Sequence, residues 1–182
     1  MIQSLLGLTQ LYLPYDEPAC ITIVHAKVGD SARFGTSPGE GEVDATLRAV
    51  SDHVMGKIVS LVEKFAKSIA EQYSLSVELR WTDVFHATNN DKASSDYVTE
   101  TACDLGFDIY PLQQPFAWSE DFGLLSSLVT KGAAFFGIGS QEDTAGTSCN
   151  DLHTPNFDFN DNLLPFAIIF MRTLVDKVLS RC

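Results

Sequence analysis

The first half of the chain alternates between strand-like and helix-like patterns of apolar residues. Ala19–Val28 is rich in β-branched residues, and Glu42–Val50 and Ser76–Phe85 alternate apolar with polar side chains. A period of two predicts strands with one wet and one buried face. Between the last two strands, Asp52–Tyr73 carries apolar residues at helical spacing and charges on its other side. The pattern predicts a small antiparallel sheet with helices on one face.

The segments around these strands have simpler patterns. Met1–Leu13 is apolar and compatible with a helix, but no N-cap residue precedes it, so it reads as a helix entered partway along. The Gly35–Gly41 cluster supplies glycines and a proline for a turn, which predicts a hairpin or connecting loop. A phosphate-binding loop is the alternative, but the lysine and following helix of a P-loop are missing.

The second half predicts a different order of elements. The expected elements, in order, are a helix at Lys92–Leu105 ending at Gly106, a strand at Phe107–Leu112, a short helix at Asp121–Val129, a strand at Ala133–Ile138 buried on both faces, and a last helix from Asp161 to about Arg181. The first half of the last helix is apolar nearly all round, so we expect it to be buried.

A polar stretch at His86–Asp91 separates the two halves, and we place a domain boundary near residue 90. Residues 1–90 then form one domain and residues 91–182 another. The predicted fold class is α+β for the first domain, followed by a partial α/β segment.

Composition narrows the functional classes. The chain has 182 residues, 45% of them hydrophobic, and a formal net charge of −12. Such a charge repels nucleic acid and anionic membrane surfaces, and no apolar run is long enough to span a bilayer. The four scattered cysteines form no Cys-x-x-Cys pair, which argues against a zinc ribbon or a redox site and favours reduced thiols. We expect a cytoplasmic protein with neither nucleic-acid nor membrane partners.

The most informative stretch is Leu152–Asp161, which places His153 in a tight polar loop before an apolar helix. From its chemistry this histidine is a candidate metal ligand, a general acid or base, or a loop residue satisfied by its neighbours. Cys149 lies four residues earlier, but two ligands without a second pair do not close a four-ligand zinc site.

These motifs resemble a known enzyme family. Ser119-Glu120-Asp121-Phe122, a glycine-bearing apolar stretch and then "LHTPNFDFND" resemble the C-terminal region of zinc metallo-amidohydrolases. That family includes hippurate hydrolase, the indole-acetyl-amino-acid hydrolases, aminoacylase and the carboxypeptidase G type of exopeptidase. In it, a catalytic domain with two zinc ions is interrupted by a smaller, ferredoxin-like lid domain.

The resemblance assigns each half a place in that architecture. Residues 1–90 correspond to the lid or dimerisation domain without its first strand, and residues 91–182 to the C-terminal, zinc-peptidase-like part of the catalytic domain. Thr46-Leu47-Arg48 matches a pattern that ends one lid strand. Gly35 stands where many relatives have an asparagine, so the role of that asparagine is in doubt here.

The resemblance also predicts a metal ligand. His153 corresponds to the family's C-terminal zinc ligand. The other ligands and the glutamate general base belong to an N-terminal half with no counterpart in these residues. We therefore expect no catalytic residue in this chain, and we expect the chain alone not to retain the zinc of a complete enzyme.

Five further residues are candidates for the wall of the active site. By resemblance Glu120 and Asp121 line that wall, although a Ser-Glu-Asp run also suits a helix N-cap. His86 and Asn90 correspond loosely to lid residues that reach the active site of a partner subunit. Arg48 is a candidate anchor for a substrate carboxylate, with a salt bridge across the sheet as the alternative.

The predicted function is a segment of a metal-dependent amidohydrolase or peptidase that cleaves N-acyl amino acids or small peptides. The alternative is a non-catalytic module whose sheet pairs edge to edge in a homodimer. A ferredoxin-like small-molecule sensor rests on fold analogy alone.

Overall fold

A computed structural model describes residues 1–12, 18–30, 34–116, 118–139, 154–155, 157 and 160–181. The chain divides into two compact units, Met1–Ala87 and Thr88–Cys182. This division lies close to residue 90, where the polar stretch suggested a boundary.

Unit 1 contains an antiparallel pair of strands. β1 (Ala19–Val28) pairs with β2 (Gly41–Ala49) in a register that places Ile21 opposite Leu47, with an irregularity between Ile23 and His25. The predicted turn chemistry is borne out at Gly35, whose φ of +77° lies in the left-handed region that favours glycine. The sheet and its helices give the mixed α+β fold that the sequence predicts.

Two helices share a core with this sheet. α1 (Ile2–Tyr12) contacts β1, and α2 (Asp52–Gln72) contacts both β2 and α1. The buried side chains at the centre are those of Leu5, Leu8, Ile21, Val54, Ile58 and Val62. Ser51 caps α2, because its hydroxyl oxygen accepts a hydrogen bond from the Val54 amide at 3.2 Å. The predicted amphipathic helix is therefore confirmed.

The prediction of a third strand at Ser76–Phe85 is wrong. These residues follow α2 without helix or strand structure, and in the described part of the chain the sheet contains only β1 and β2. Their alternation suits a strand, but a strand forms only where a neighbouring backbone completes its hydrogen bonds.

Unit 2 is built around two longer helices. α3 (Lys92–Asp104) begins at Asp91, whose carboxylate accepts a hydrogen bond from the Ser94 amide at 2.8 Å. A short helix, α4 (Phe122–Ser127), and a 3₁₀ turn (Asp161–Leu163) precede the last helix, α5 (Leu164–Ser180). α3 contacts α5, and Phe170 of α5 is buried beside Phe107 and Phe136.

Ionic contacts reinforce the helix pair. Lys177 of α5 makes salt bridges with Asp104 at 2.5 Å and Glu100 at 3.7 Å on α3. Arg181 also bonds to Glu100 and lies over the ring of Tyr97. Glu100 raises the pKa of Arg181 further above its ordinary value by a hydrogen bond and by its charge. These contacts hold the C-terminal turn of α5 against α3.

Two predicted strands of unit 2 are also wrong. Neither Phe107–Leu112 nor Ala133–Ile138 is a strand, and residues 133–136 are half-buried rather than buried on both faces. As in unit 1, these segments do not form strands because no described strand of this unit lies beside them to complete their backbone hydrogen bonds.

The expected burial of α5 is wrong as well. In its first half Phe170 is buried at 5% exposure, whereas Phe166 is 52% and Ile168 67% exposed. The apolar residues that encircle the helix predict burial, but the described residues cover only one side of it. No described helix is long and apolar enough to cross a membrane.

Candidate functional site

His153, the predicted zinc ligand, lies outside the described residues, as does Cys149. The described residues that follow them form a turn, in which the Phe157 amide donates to the Thr154 carbonyl at 3.0 Å. Asn160 then caps the 3₁₀ turn through its side-chain oxygen. Asn160 therefore leads into the last helix, and the role of His153 stays a prediction.

His86 has a defined partner in unit 1. Its Nδ1 lies 3.0 Å from Oδ2 of Asp52, and Oδ1 of Asp52 accepts a hydrogen bond from the Ala87 amide at 2.8 Å. Asp52 is the first residue of α2, where the helix dipole favours a negative charge. The Ala87 amide, then the hydrogen bond and charge of His86, hold the pKa of the Asp52 carboxyl below its ordinary value.

This geometry defines what the imidazole can do. When Nδ1 carries the proton and donates a hydrogen bond to Asp52, Nε2 is left as an acceptor. A carboxylate that orients a histidine in this way is common in both metal sites and general-base sites. His86 is 51% exposed, so solvent or a ligand can reach it.

Asp52 also borders a shallow depression on the surface of α2. The depression opens to solvent and is lined by Asp52, His53, Gly56, Lys57, Ser60, Leu61 and Lys64. Lys57 and Lys64 outnumber the Asp52 carboxylate on this rim, which suits an anionic group better than a cation.

Arg48 lies on β2 opposite Cys20 and is exposed. It alternates with Leu47 and Ala49, which pack against the core, so its side chain belongs to the other face of the sheet. That face is accessible to a substrate anion or to a salt-bridge partner, the two roles predicted for it.

Glu120 and Asp121 precede α4 in unit 2, and both are exposed. Asp121 occupies the N-cap position, but its side chain makes no capping hydrogen bond, and its backbone is already helical. A side-chain cap at this position is therefore not formed, although the negative charge still lies at the favourable end of the helix dipole.

Asn90 is used within the fold of unit 2. Its Nδ2 donates to the Phe135 carbonyl at 2.8 Å, and its Oδ1 accepts from the Phe135 amide at 2.8 Å. The neighbouring Asp91 amide donates to the Ala133 carbonyl at 2.8 Å. The NH2 group and the carbonyl oxygen of the Asn90 side chain thus both help to hold residues 133–135 beside the start of α3.

A zinc site requires about four ligands in one place. Within the described ranges, no three histidine, cysteine, aspartate or glutamate side chains come together to hold a metal ion. Cys20 and Cys103 are exposed free thiols without such a group around them. The described residues therefore do not fit a zinc ion on their own.

The sequence did not reveal that Asp52 is the partner of His86. The two residues lie 34 positions apart, and no local spacing connects them. The available signal was indirect: an aspartate directly after the N-cap Ser51 lies at the positive end of a helix, and His86 follows a segment that returns along the chain after that helix.

Comparison with known proteins finds one similar sequence and one similar fold. No family model matches the chain. Its sequence is similar to IAA-amino acid hydrolase ILR1-like 4 from Arabidopsis thaliana, with 25% identity over 162 residues that cover 85% of this chain and 36% of the relative. The chain thus spans about a third of the length of that curated protein.

A solved structure has the same fold. The crystal structure described as an aminohydrolase from methicillin-resistant Staphylococcus aureus matches with a TM-score of 0.78 and 20% identity, over 96% of this chain and 43% of that chain. At this identity the likeness shows the fold. The two comparisons together confirm the resemblance to part of an amidohydrolase that the sequence motifs suggested.

Proposed function

We propose that this chain, which resembles part of an amidohydrolase in sequence and fold, contributes to an enzyme that cleaves N-acyl amino acids or small peptides. The observation that carries the proposal is the alignment of 162 residues with a protein named as a hydrolase of IAA-amino acids. Such conjugates join an acid to an amino acid through an amide bond. The structural match over 96% of the chain supports the same class.

Within that enzyme, residues 1–90 act as the lid and residues 91–182 as the C-terminal segment of the catalytic domain. His153 is assigned as one ligand of the zinc pair expected by resemblance. The described residues provide no set that completes this site. Glu120 and Asp121 are assigned to the wall of the active site. Both side chains are charged and exposed, so a substrate can reach them.

His86 is assigned as a substrate contact. Asp52 orients its ring through Nδ1, which leaves Nε2 to bind a substrate group, and the lysines beside Asp52 attract a carboxylate. Asn90 is a weaker candidate for the same role, because its side-chain NH2 group and carbonyl oxygen both bind the Phe135 backbone. Arg48 remains a candidate anchor for the substrate carboxylate.

A chimera tests this function directly. The chain replaces the matched region of the Arabidopsis relative, and amino-acid release from N-acetyl, N-benzoyl and IAA-linked amino acids is measured together with zinc content. We expect the chimera to hydrolyse these amides. The same chimera with His153→Ala should lose its zinc and be at least about a hundredfold less active. His25→Ala is the matched control, because His25 is an exposed residue of β1. A folded chimera that is inactive, or that is unaffected by His153→Ala, contradicts the proposal.

A second candidate is a dimerisation module. In the described part of the chain, β1 pairs with a strand on only one of its edges, and Val24 and Val28 are 61% and 72% exposed. An exposed strand edge of this kind pairs readily with another chain. A homodimer through the β1 edge is compatible with the hydrolase proposal as well as with a non-catalytic role.

A further inference from the structure

Residues 133–136 of unit 2 are held at the start of α3 by three hydrogen bonds. The Asp91 amide donates to the Ala133 carbonyl, and the Asn90 side chain bonds to both the carbonyl and the amide of Phe135, each at 2.8 Å. A planar carboxamide that donates to and accepts from one residue fixes both the position and the orientation of its backbone. Asn90 therefore sets the place of Phe135 beside the N-terminus of α3.

The rings of Phe135 and Phe136 contact different helices. The Phe136 ring lies 5.3 Å from the ring of Phe170, the buried residue of α5. The Phe135 ring lies 5.2 Å from the ring of Phe122, the first residue of α4. Both separations between ring centroids are those of aromatic side chains in contact. Residues 133–136 thus join the start of α3 to α4 as well as to α5.

α4 needs this support because it is a short helix. It has six residues, and its N-cap residue Asp121 makes no side-chain capping bond. A helix of this length is unstable in isolation, so its order depends on tertiary packing. Leu124 and Leu125 are 50% and 59% exposed, whereas Phe122 is half-buried. Phe122 is therefore the large side chain by which α4 packs on the described part of unit 2.

We propose that Asn90 is a positioning residue for the start of α4. By fixing the backbone of Phe135, it places the ring on which Phe122 packs, and Phe122 directly follows Glu120 and Asp121. The coupling from Asn90 to α4 is carried by these contacts alone. Its effect on catalysis rests on the proposed function, in which Glu120 and Asp121 belong to the wall of the active site.

Hydrogen exchange of the 182-residue chain, measured by NMR, tests the coupling. The Leu124 and Leu125 amides donate to the Asp121 carbonyl at 3.0 Å and 3.2 Å, so they report the order of the first turn of α4. We expect Asn90→Ala to speed exchange at least about tenfold at these two amides and at the Phe135 amide, while the amides of α5 keep their protection. An equal loss of protection throughout α5 would show general destabilisation and overturn the proposal.

Phe122→Leu breaks the connection at its other end. It removes the ring contact with Phe135 and leaves the Asn90 side chain in place, so we expect faster exchange at the two α4 amides and a protected Phe135 amide. Asn89→Ala is the matched control, because it makes the same change at the neighbouring exposed position and should alter none of these amides. Wild-type exchange at the α4 amides in either Asn90→Ala or Phe122→Leu overturns the proposal.

Asn90→Asp separates the hydrogen bonds from the size of the side chain. At neutral pH an ionised carboxylate accepts from the Phe135 amide and cannot donate to its carbonyl, whereas a protonated carboxyl does both. We expect the α4 amides to exchange faster than in the wild type at about pH 7 and to approach wild-type protection at about pH 3.5, below the ordinary pKa of a carboxyl. A difference from the wild type that is the same at both pH values contradicts the proposal.

The chimera with the Arabidopsis relative measures the effect on catalysis. Glu120 and Asp121 are assigned to the wall rather than to the reacting bond, so their displacement should weaken substrate binding more than it slows chemistry. We expect Asn90→Ala to raise KM at least about tenfold and to change kcat less than about threefold, with Asn89→Ala unchanged. An unchanged KM in an active chimera overturns the proposal. If the chimera without substitutions is inactive, the proposed function fails, and the exchange rates still decide the coupling.

Discussion

Single residues in this chain join segments that are distant in sequence. Asp52 fixes both His86 and Ala87 at the first turn of α2, and Asn90 binds the amide and carbonyl of Phe135. In both cases a short polar side chain binds backbone groups of a distant segment. The two contacts hold extended segments that are not part of a ladder.

Replacing Asp52 changes the dependence of stability on pH. Because its pKa is lowered in the folded state, its contribution is present above the unfolded value of about 3.9 and is lost as pH falls through the lower folded value. We expect the Asp52→Asn variant to have a lower free energy of unfolding near neutral pH. In the acid range, the free energy of unfolding of unit 1 should fall less steeply with pH than in the wild type. Urea unfolding from pH 7 to pH 2 measures both effects.

The matched control for this experiment is Asp44→Asn, a change at an exposed carboxylate of β2. An Asp52→Asn profile that coincides with the wild-type profile would show that the contact with His86 and Ala87 adds nothing to stability. Since Asp52 is 58% exposed, solvent screens its charge and the effect is a modest one.

Individual helices and strands are defined by their ends and by their neighbours. The sequence predicted α2 and α3 closely because helical signals are local, and the structure adds the side-chain caps of Ser51 and Asp91. It overpredicted strands at Ser76–Phe85, Phe107–Leu112 and Ala133–Ile138, because alternation or an apolar run describes a strand only where a partner strand is present. The partner depends on the path of the whole chain, which local patterns do not specify.

The start of α3 has little space around it. Gly132 has a φ of +85°, and an added Cβ would lie 2.5 Å from both Cβ and Cγ of Asp91, the N-cap. We expect Gly132→Ala to lower the free energy of unfolding of unit 2 by about 2 kcal/mol, from left-handed strain and loss of the cap. Chemical denaturation followed by circular dichroism measures the change.

Gly137→Ala is the control, because a Cβ at Gly137 meets nothing within 4 Å. Asp91→Ala alone is expected to lose about 1 kcal/mol through the cap. The double variant Gly132→Ala/Asp91→Ala should lose less free energy of unfolding than the two single variants added together, since both changes disturb the same contact. A sum that is fully additive would show that the crowding does not affect the cap.

The surface of the whole molecule has two opposing properties. Its net charge of −12 keeps copies apart, while large apolar side chains such as Val24, Ile168 and Leu179 are more than 60% exposed. Screening by salt weakens the repulsion and leaves apolar contact unaffected. Association between copies should therefore increase with ionic strength.

The β1 edge is the surface that we expect to join two copies. Val24→Lys places a charge in the middle of that edge and should shift the chain toward monomer at 0.5 M salt, with a dissociation constant at least about tenfold higher. Leu179→Lys adds the same charge to α5 and serves as the control. Analytical ultracentrifugation measures both, and a larger effect of Leu179→Lys would place the interface on α5.

The sequence by itself determined the features that depend on local order. These are the helical segments, the β-branched and alternating patterns of β1 and β2, the acidic charge and the motifs that resemble an amidohydrolase. Only the tertiary structure decided which alternating segments pair, which side of α5 is covered, and which residues His86 and Asn90 bind. Periodicity and capping act over a few residues, whereas pairing and burial depend on groups brought together from distant parts of the chain.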